Sequence, residues 1–382
     1  MPTSFAQPHV ARRGYTIVEL LAVAGLLVLL LAFAASGLSG LLKSSEKSLA
    51  ENQLRVGLTA ARDLALRSDN DAVAVFFLEN GRCRIVPAVS AGFLKNDEVL
   101  GVDGQAVANV RVDREVFVPV TLSEPITLPL RWTVRGFADP GLLHTTAAPN
   151  GWYEWINDAS ATVAEAGNWV LPETSVVDIA QAEQGWRRQT FVVRYEGKTG
   201  NLVTNNNATV LVVDVVASDE FRDDPPYDEA ANRLDELDGD LLPVVRRMLS
   251  NRNLHPAAAQ LNQTTDLHKL LGDRSTDTVL ARPVQTIALA LETNVASGVS
   301  ARSLNRSTNS LLVSADAATN PSPIDVALFS GIDAAEVQER INAWIAPDLS
   351  TQGTPPNGVQ EPYDARIFTF SRYLGAMQEV KP

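Results

Sequence analysis

The sequence is poor in the residues that build metal clusters and disulfide frameworks. It has one cysteine, Cys83, in 382 residues, so no internal disulfide can form and a thiolate cluster is excluded. There are four histidines, His9, His144, His255 and His268, and no two stand at the helical spacing of three or four that would aim both at one metal. No phosphate-cradling glycine loop, dinucleotide fingerprint or nucleophile elbow occurs. No repeat of fixed period is present, which argues against a solenoid or propeller. Basic residues are in the minority, with 32 Lys and Arg against 45 Asp and Glu, a formal net charge of −13. Such a surface repels phosphate backbones, so nucleic acid is not an expected partner.

What is present is an ordinary globular composition, 45% hydrophobic and 20% charged, with an unusual beginning. The chain is long enough for one large domain or two modest ones. Residues 1–13 contain no acid and end in Arg12-Arg13. From Gly14 to Leu42 the one charged residue is Glu19. Spanning a bilayer takes about 20 apolar residues, so hydropathy predicts a membrane helix over 15–42. With the arginines before it and Lys43 after it, the positive-inside rule puts the leader in the cytoplasm and the rest outside. Glu19 taken alone reads as an acid that caps the start of the helix, where the dipole favours negative charge.

The run Arg12-Arg13-Gly14-Tyr15-Thr16-Ile17-Val18-Glu19-Leu20-Leu21 resembles the processing site of type IV prepilins and type II secretion pseudopilins. The resemblance implies recognition of Arg12 and Arg13, cleavage between Gly14 and Tyr15, and N-methylation of Tyr15 by the same peptidase. Glu19 becomes the fifth mature residue, the position that in this family neutralises the N-terminal amine of a neighbouring subunit. Tyr15 stands where Phe is commoner. A secretory signal cut after Ala32-Phe33-Ala34, or a twin-arginine signal, is the competing reading. Neither explains the order Gly-Tyr-Thr-Ile-Val-Glu. The implied location is the bacterial inner membrane, single-pass, with a periplasmic or extracellular head that joins a fibre.

Beyond the apolar stretch, Leu54, Leu58, Ala61 and Ala65 recur at helical spacing. One helix from Tyr15 to Arg67 would be roughly 80 Å long. Then β patterning takes over. Ala72–Glu79 and Arg82–Val86 flank Asn80-Gly81, a hairpin signal. Strands are expected at 109–112, 115–122, 126–134, 191–195 and 208–216. The expected fold class is α+β, pilin-like: a long N-terminal transmembrane and amphipathic helix packed on an antiparallel β-sheet head, with a mixed C-terminal elaboration. The organisation expected is a leader (1–14), a membrane half (15–42) and an amphipathic half (43–68) of the helix, a β head (69–218), an acidic loop and elaboration (219–350), and a loop with closing strand (351–382). The helix-to-strand junction at Leu64–Arg67 and Val73–Phe77 is similar to that of H-type minor pseudopilins.

The stretch 219–240 holds ten Asp or Glu and two Arg. Asp235, Asp238 and Asp240 around Gly239 offer the oxygen ligands that calcium takes, but without the spacing of an EF-hand loop. A solvated acidic linker accounts for them better, so no cofactor is expected and calcium is the one candidate metal. Leu241–Leu249 and Ala334–Ile345 read as helices, the second with Val337, Ile341, Trp344 and Ile345 on one core-facing side. The run 284–291 fits either strand or helix. His255 and His268 near Asp266 and Asp273, and the aromatics Trp152, Tyr153 and Trp155, fit surface and core roles better than a site. The chain therefore reads as a structural subunit and not an enzyme. Its expected partners are other pilin or pseudopilin subunits, a prepilin peptidase, an inner-membrane assembly platform and, through residues 15–42, the membrane. The alternatives are a major pilin or adhesin, and an anchored or secreted binding protein or enzyme that never polymerises.

Overall fold

In the computed structural model the described residues are 16–79, 81–100, 106–120, 124–138, 168–174, 188–204, 209–213, 241–250, 278–306, 308–312, 324–347, 358–361, 364–371 and 375–380. Two compact units are distinguished, Met1–Leu49 and Ala50–Pro382, and helix α1 (Ile17–Ser68) contributes to both.

The second unit is built on strand pairing. Strands β1 (Ala72–Glu79) and β2 (Arg82–Leu100) form the hairpin expected at Asn80-Gly81, in register from Ala72↔Val89 to Glu79↔Arg82. Gly81 takes φ +72°, the left-handed conformation that such a turn requires. β3 (Ala106–Pro119) pairs with β2, and β8 (Arg188–Tyr195) with β1, both antiparallel. β9 (Val210–Val213) runs parallel to β3, and β10 (Thr278–Pro283) runs parallel to β8 and antiparallel to β9. The order β1-β2-β3-β9-β10-β8 returns to β1, so the six strands close into a barrel. Alternate residues from all six, among them Val73, Val75, Phe77, Ala88, Phe117, Val192, Val212 and Val279, meet in one apolar cluster that fills it.

A second, wholly antiparallel sheet has the order β13-β12-β11-β5-β6. Its strands are β5 (Trp132–Ala138), β6 (Asn168–Val170), β11 (Thr286–Leu291), β12 (Arg366–Phe370) and β13 (Met377–Val380). The short β4 (Ile126–Thr127) and β7 (Glu173–Thr174) edge the barrel sheet. From Ala50 onward, α1 buries Ala50, Leu54, Leu58, Ala61 and Ala65 against both layers, meeting Phe76, Ile85 and Phe191 of the barrel and Trp132, Ile287 and Phe368 of the second sheet. Helices α2 (Leu241–Ser250), α3 (Glu292–Gly298) and α4 (Ala334–Ile345) cover the remaining faces. Val245 and Leu249 of α2 pack on the barrel, and Val337, Ile341, Trp344 and Ile345 of α4 pack over the second sheet.

Two expectations are corrected here. The pilin-like α+β fold, a long helix on an open antiparallel head, is replaced by a β-rich unit whose first sheet closes on itself. Closure follows because β1 is hydrogen-bonded on both sides, by β2 and β8, and because two parallel pairings bring in β9 and β10. A meander makes no parallel pair. The second correction concerns the transmembrane helix over 15–42 and the single-pass inner-membrane location built on it. Among the described residues no helix is long and apolar enough to cross a membrane.

Candidate functional site

The start of α1 is organised by its own side chains. The backbone N–H of Thr16 donates to Glu19 Oε2 at 2.9 Å, and the Thr16 hydroxyl donates to the same oxygen at 3.0 Å. In return the N–H of Glu19 donates to Thr16 Oγ1 at 3.2 Å. This is a capping box: a Thr at the cap and a Glu three residues on satisfy each other's backbone donors. The Leu20 N–H then donates to the Thr16 carbonyl at 3.1 Å, the first bond of the helix. The backbone bond from Thr16, and after it the hydroxyl bond, hold the Glu19 carboxyl below the usual carboxylate range. The signal for this cap was in the sequence as Thr-x-x-Glu ahead of an apolar run. Thr16 is the residue that a reading centred on Glu19 passes over.

Behind the cap, the helix shows apolar side chains in every direction. Ile17 is 81% exposed, Val18 74%, Leu21 66% and Leu30 61%, with Val23, Leu26, Leu27, Val28 and Leu29 also exposed. A helix that is apolar all round is one that something else covers. Gly25 has open space where a Cβ would stand.

The other expected site residues fall elsewhere. Arg12, Arg13, Gly14 and Tyr15 lie outside the described residues, as do Asp235, Asp238 and Asp240, the four histidines with Asp266 and Asp273, and Trp152, Tyr153 and Trp155. Among the described residues no group of His, Cys, Asp and Glu is arranged to hold a metal ion. Cys83 is fully buried, and burial pushes its thiol up to about 12, so it is a packing residue and no nucleophile.

Two buried charge groups were not foreseen from the sequence. In the first, Arg135 of β5 and Glu292 at the start of α3 face each other at 3.2 Å, with both side chains fully buried. Glu292 also accepts from the Thr133 hydroxyl at 3.0 Å and the Leu311 N–H at 3.2 Å. In the second, Arg194 of β8 donates Nε and Nη2 to Asp71 Oδ2 at 3.0 and 2.6 Å and Nη2 also to Glu115, while Ser90 Oγ donates to Glu115 at 2.6 Å. Both have the form of structural ties: each carboxylate is occupied by donors, the Ser90 and Thr133 hydroxyls among them. No family model matches this chain, and neither a curated protein nor a solved structure shows significant similarity to it.

Proposed function

We propose that this chain is a minor pilin or pseudopilin-type subunit, a structural part of a type IV pilus or type II secretion fibre. It is cut between Gly14 and Tyr15 by a prepilin peptidase, methylated at Tyr15, and assembled through its N-terminal helix with other such subunits on the machine's assembly platform. The observation that carries this reading is the helical segment Ile17–Leu30, exposed and apolar on all sides, behind a capped carboxylate. Burying one Leu, Ile or Val side chain contributes about 1.5–3 kcal/mol. Packing such a segment among copies of itself or related helices is therefore a strong drive to association. Glu19 stands at the start of that segment with its carboxylate fixed in direction, because Thr16 donates to it twice. A carboxylate at the fifth mature position then meets an incoming amine with its acceptor already oriented, which selects register as well as contact. The reading rests on the N-terminal segment and not on the head, whose barrel departs from what the resemblance implied.

Top-down mass spectrometry of the protein from its native cell tests this. A mature chain beginning at Tyr15 with one added methyl is expected. A chain that keeps Met1, or one that begins near Ala35, refutes the assignment. Glu19→Ala is expected to leave cleavage intact and to abolish incorporation into fibres.

A further inference from the structure

The exit of α1 is tied to the barrel by more groups than a helix-to-strand turn requires. After Ser68 the chain turns through Asp69, at φ +56°, and enters β1 at Ala72. Asp71 makes three kinds of bond at this corner. Its carbonyl accepts from the Ser90 N–H at 2.8 Å. Its Oδ1 accepts from the Gly197 N–H at 2.9 Å. Its Oδ2 takes the Arg194 fork described above. The same Nη2 of Arg194 also donates to Glu115, and the guanidinium lies 5.6 Å from the centre of the Phe117 ring.

The turn after β8, residues 196–200, closes over the same corner. Gly197 is pressed on the backbone of Asn70, where a Cβ would come within 2.7 Å of the Asn70 carbonyl carbon. Arg62, two turns back on α1, donates Nε to the Gly200 carbonyl at 3.1 Å. The last turns of the helix, the β1 entry and the β8 turn are thus bonded as one piece. Beyond the corner, β1 is paired along its length with β2 and over Ala72–Val75 with β8, inside a ring that has no edge to peel.

We infer that the Asp71–Arg194–Gly197 corner is a mechanical clamp, which passes tension on α1 into the closed barrel before the helix-to-strand turn can open. Its use in a fibre rests on the function proposed above. The clamp itself stands on the geometry and can be measured on the isolated full chain. Tension on the helix reaches the head through the apolar face from Ala50 to Ala65, through the polar ties of Glu51 to Arg366 and of Arg55 to the Met377 carbonyl, and through the covalent turn at 69–71. The apolar face contributes no bond of fixed direction, since hydrophobic burial is non-directional. The clamp is directional: the Asp71 fork must break both of its Arg194 bonds together, and Gly197 prevents the turn from straightening.

The test is forced unfolding at constant load in two directions. Handles on Val56→Cys and Val326→Cys pull through α1, and handles on Phe93→Cys and Val326→Cys pull across the head alone; all three positions are exposed. Cys83 is buried and does not compete for the handles. Asp71→Asn is expected to raise the unfolding rate about tenfold or more when load enters through α1, with little change across the head. Equal acceleration in both directions would reduce the corner to a contributor to general stability, and no acceleration in either would remove it altogether. Should Asp71→Asn fail to fold, Gly197→Ala pries the corner open without leaving a charge unpaired, and the same directional difference is expected. A chain found to retain Met1 would refute the fibre reading and leave the clamp standing, whereas direction-independent unfolding would do the reverse.

Discussion

Replacing Glu292 by Gln isolates the most deeply buried ion pair among the described residues. Both side chains of the Arg135–Glu292 pair are fully buried, and Arg135 Nε and Nη1 have no hydrogen-bond partner among the described residues. The guanidinium is therefore neutralised by Glu292. At 3.2 Å and an effective dielectric near 20, the attraction is roughly 5 kcal/mol, most of it offset by the cost of removing both charges from water. The pair as a whole contributes little net stability; its disruption costs much more. Removing one partner of a buried pair destabilises by about 3–5 kcal/mol. Glu292→Gln falls at the low end, about 3 kcal/mol, because the amide oxygen, in the place of Oε1, still accepts from the Leu311 N–H, and the amide nitrogen, in the place of Oε2, meets the Thr133 hydroxyl, which can turn to accept. The double variant Arg135→Met with Glu292→Gln removes the stranded cation and refills its volume, so it costs less than Glu292→Gln alone, about 1–2 kcal/mol. Urea unfolding followed by tryptophan fluorescence reads this out, since Trp169 and Trp344 are buried in the cluster that α3 joins. A Glu292→Gln cost below about 1 kcal/mol, or a double variant equal to the sum of its singles, would refute the claim that these two groups depend on each other.

Three further outcomes follow from single positions. Gly57→Ala sets helix propensity, a gain of up to about 1 kcal/mol, against a Cβ within 3.0 Å of three atoms of the buried Ile85 side chain, an overpacking cost of about 1–3 kcal/mol; net destabilisation is expected, with partial rescue by Ile85→Val, in the same urea assay. Arg131→Gly relieves an exposed residue held at φ +67° and should stabilise by about 1 kcal/mol, seen as a higher urea midpoint at unchanged slope. Because its folded pKa is depressed, the Glu19 cap contributes in full above the unfolded value and is lost as pH falls through the lower folded one. NMR titration of Glu19 should therefore show a midpoint below 4.5, and Thr16→Val should move it upward by removing the hydroxyl bond and leaving the backbone bond; an unmoved midpoint would refute the hydroxyl's part in the cap.

The parts of this fold that could be read from sequence are those whose cause lies within a few residues. Asn80-Gly81 specifies a tight turn by itself, and the hairpin of β1 and β2 forms there. Helix α4 begins and ends where its apolar period begins and ends, and Asp333 caps it by accepting from the Glu336 N–H at 2.8 Å. The run at 284–291 was ambiguous because a strand covered on both faces loses the alternation that distinguishes it from a helix; β11 is such a strand, between the α1 core and the α3–α4 layer. The same loss of alternation hid the barrel. Val210–Val213 is buried at every residue, so nothing local says that β9 pairs parallel with β3 on one side and antiparallel with β10 on the other. Pairings between segments as distant as Arg188 and Val279 are set by which apolar surfaces remain to be covered once nearer ones are paired, and that is a property of the assembled unit.

The N-terminus shows the opposite case, in which the same local residues fit two explanations. Glu19 fits a processing motif, and it also fits a helix cap with Thr16. The hydrogen bonds establish the cap. The two roles are compatible in chemistry, because a carboxylate has about four acceptor directions and the Thr16 donors both fall on Oε2, which leaves Oε1 open to an incoming cation. They differ in what Thr16 must do. If capping were the whole role of Glu19, Asp or Ser in a rearranged cap would serve as well. If the carboxylate must also meet an amine, its reach matters, and Glu19→Asp should keep the helix start while losing assembly.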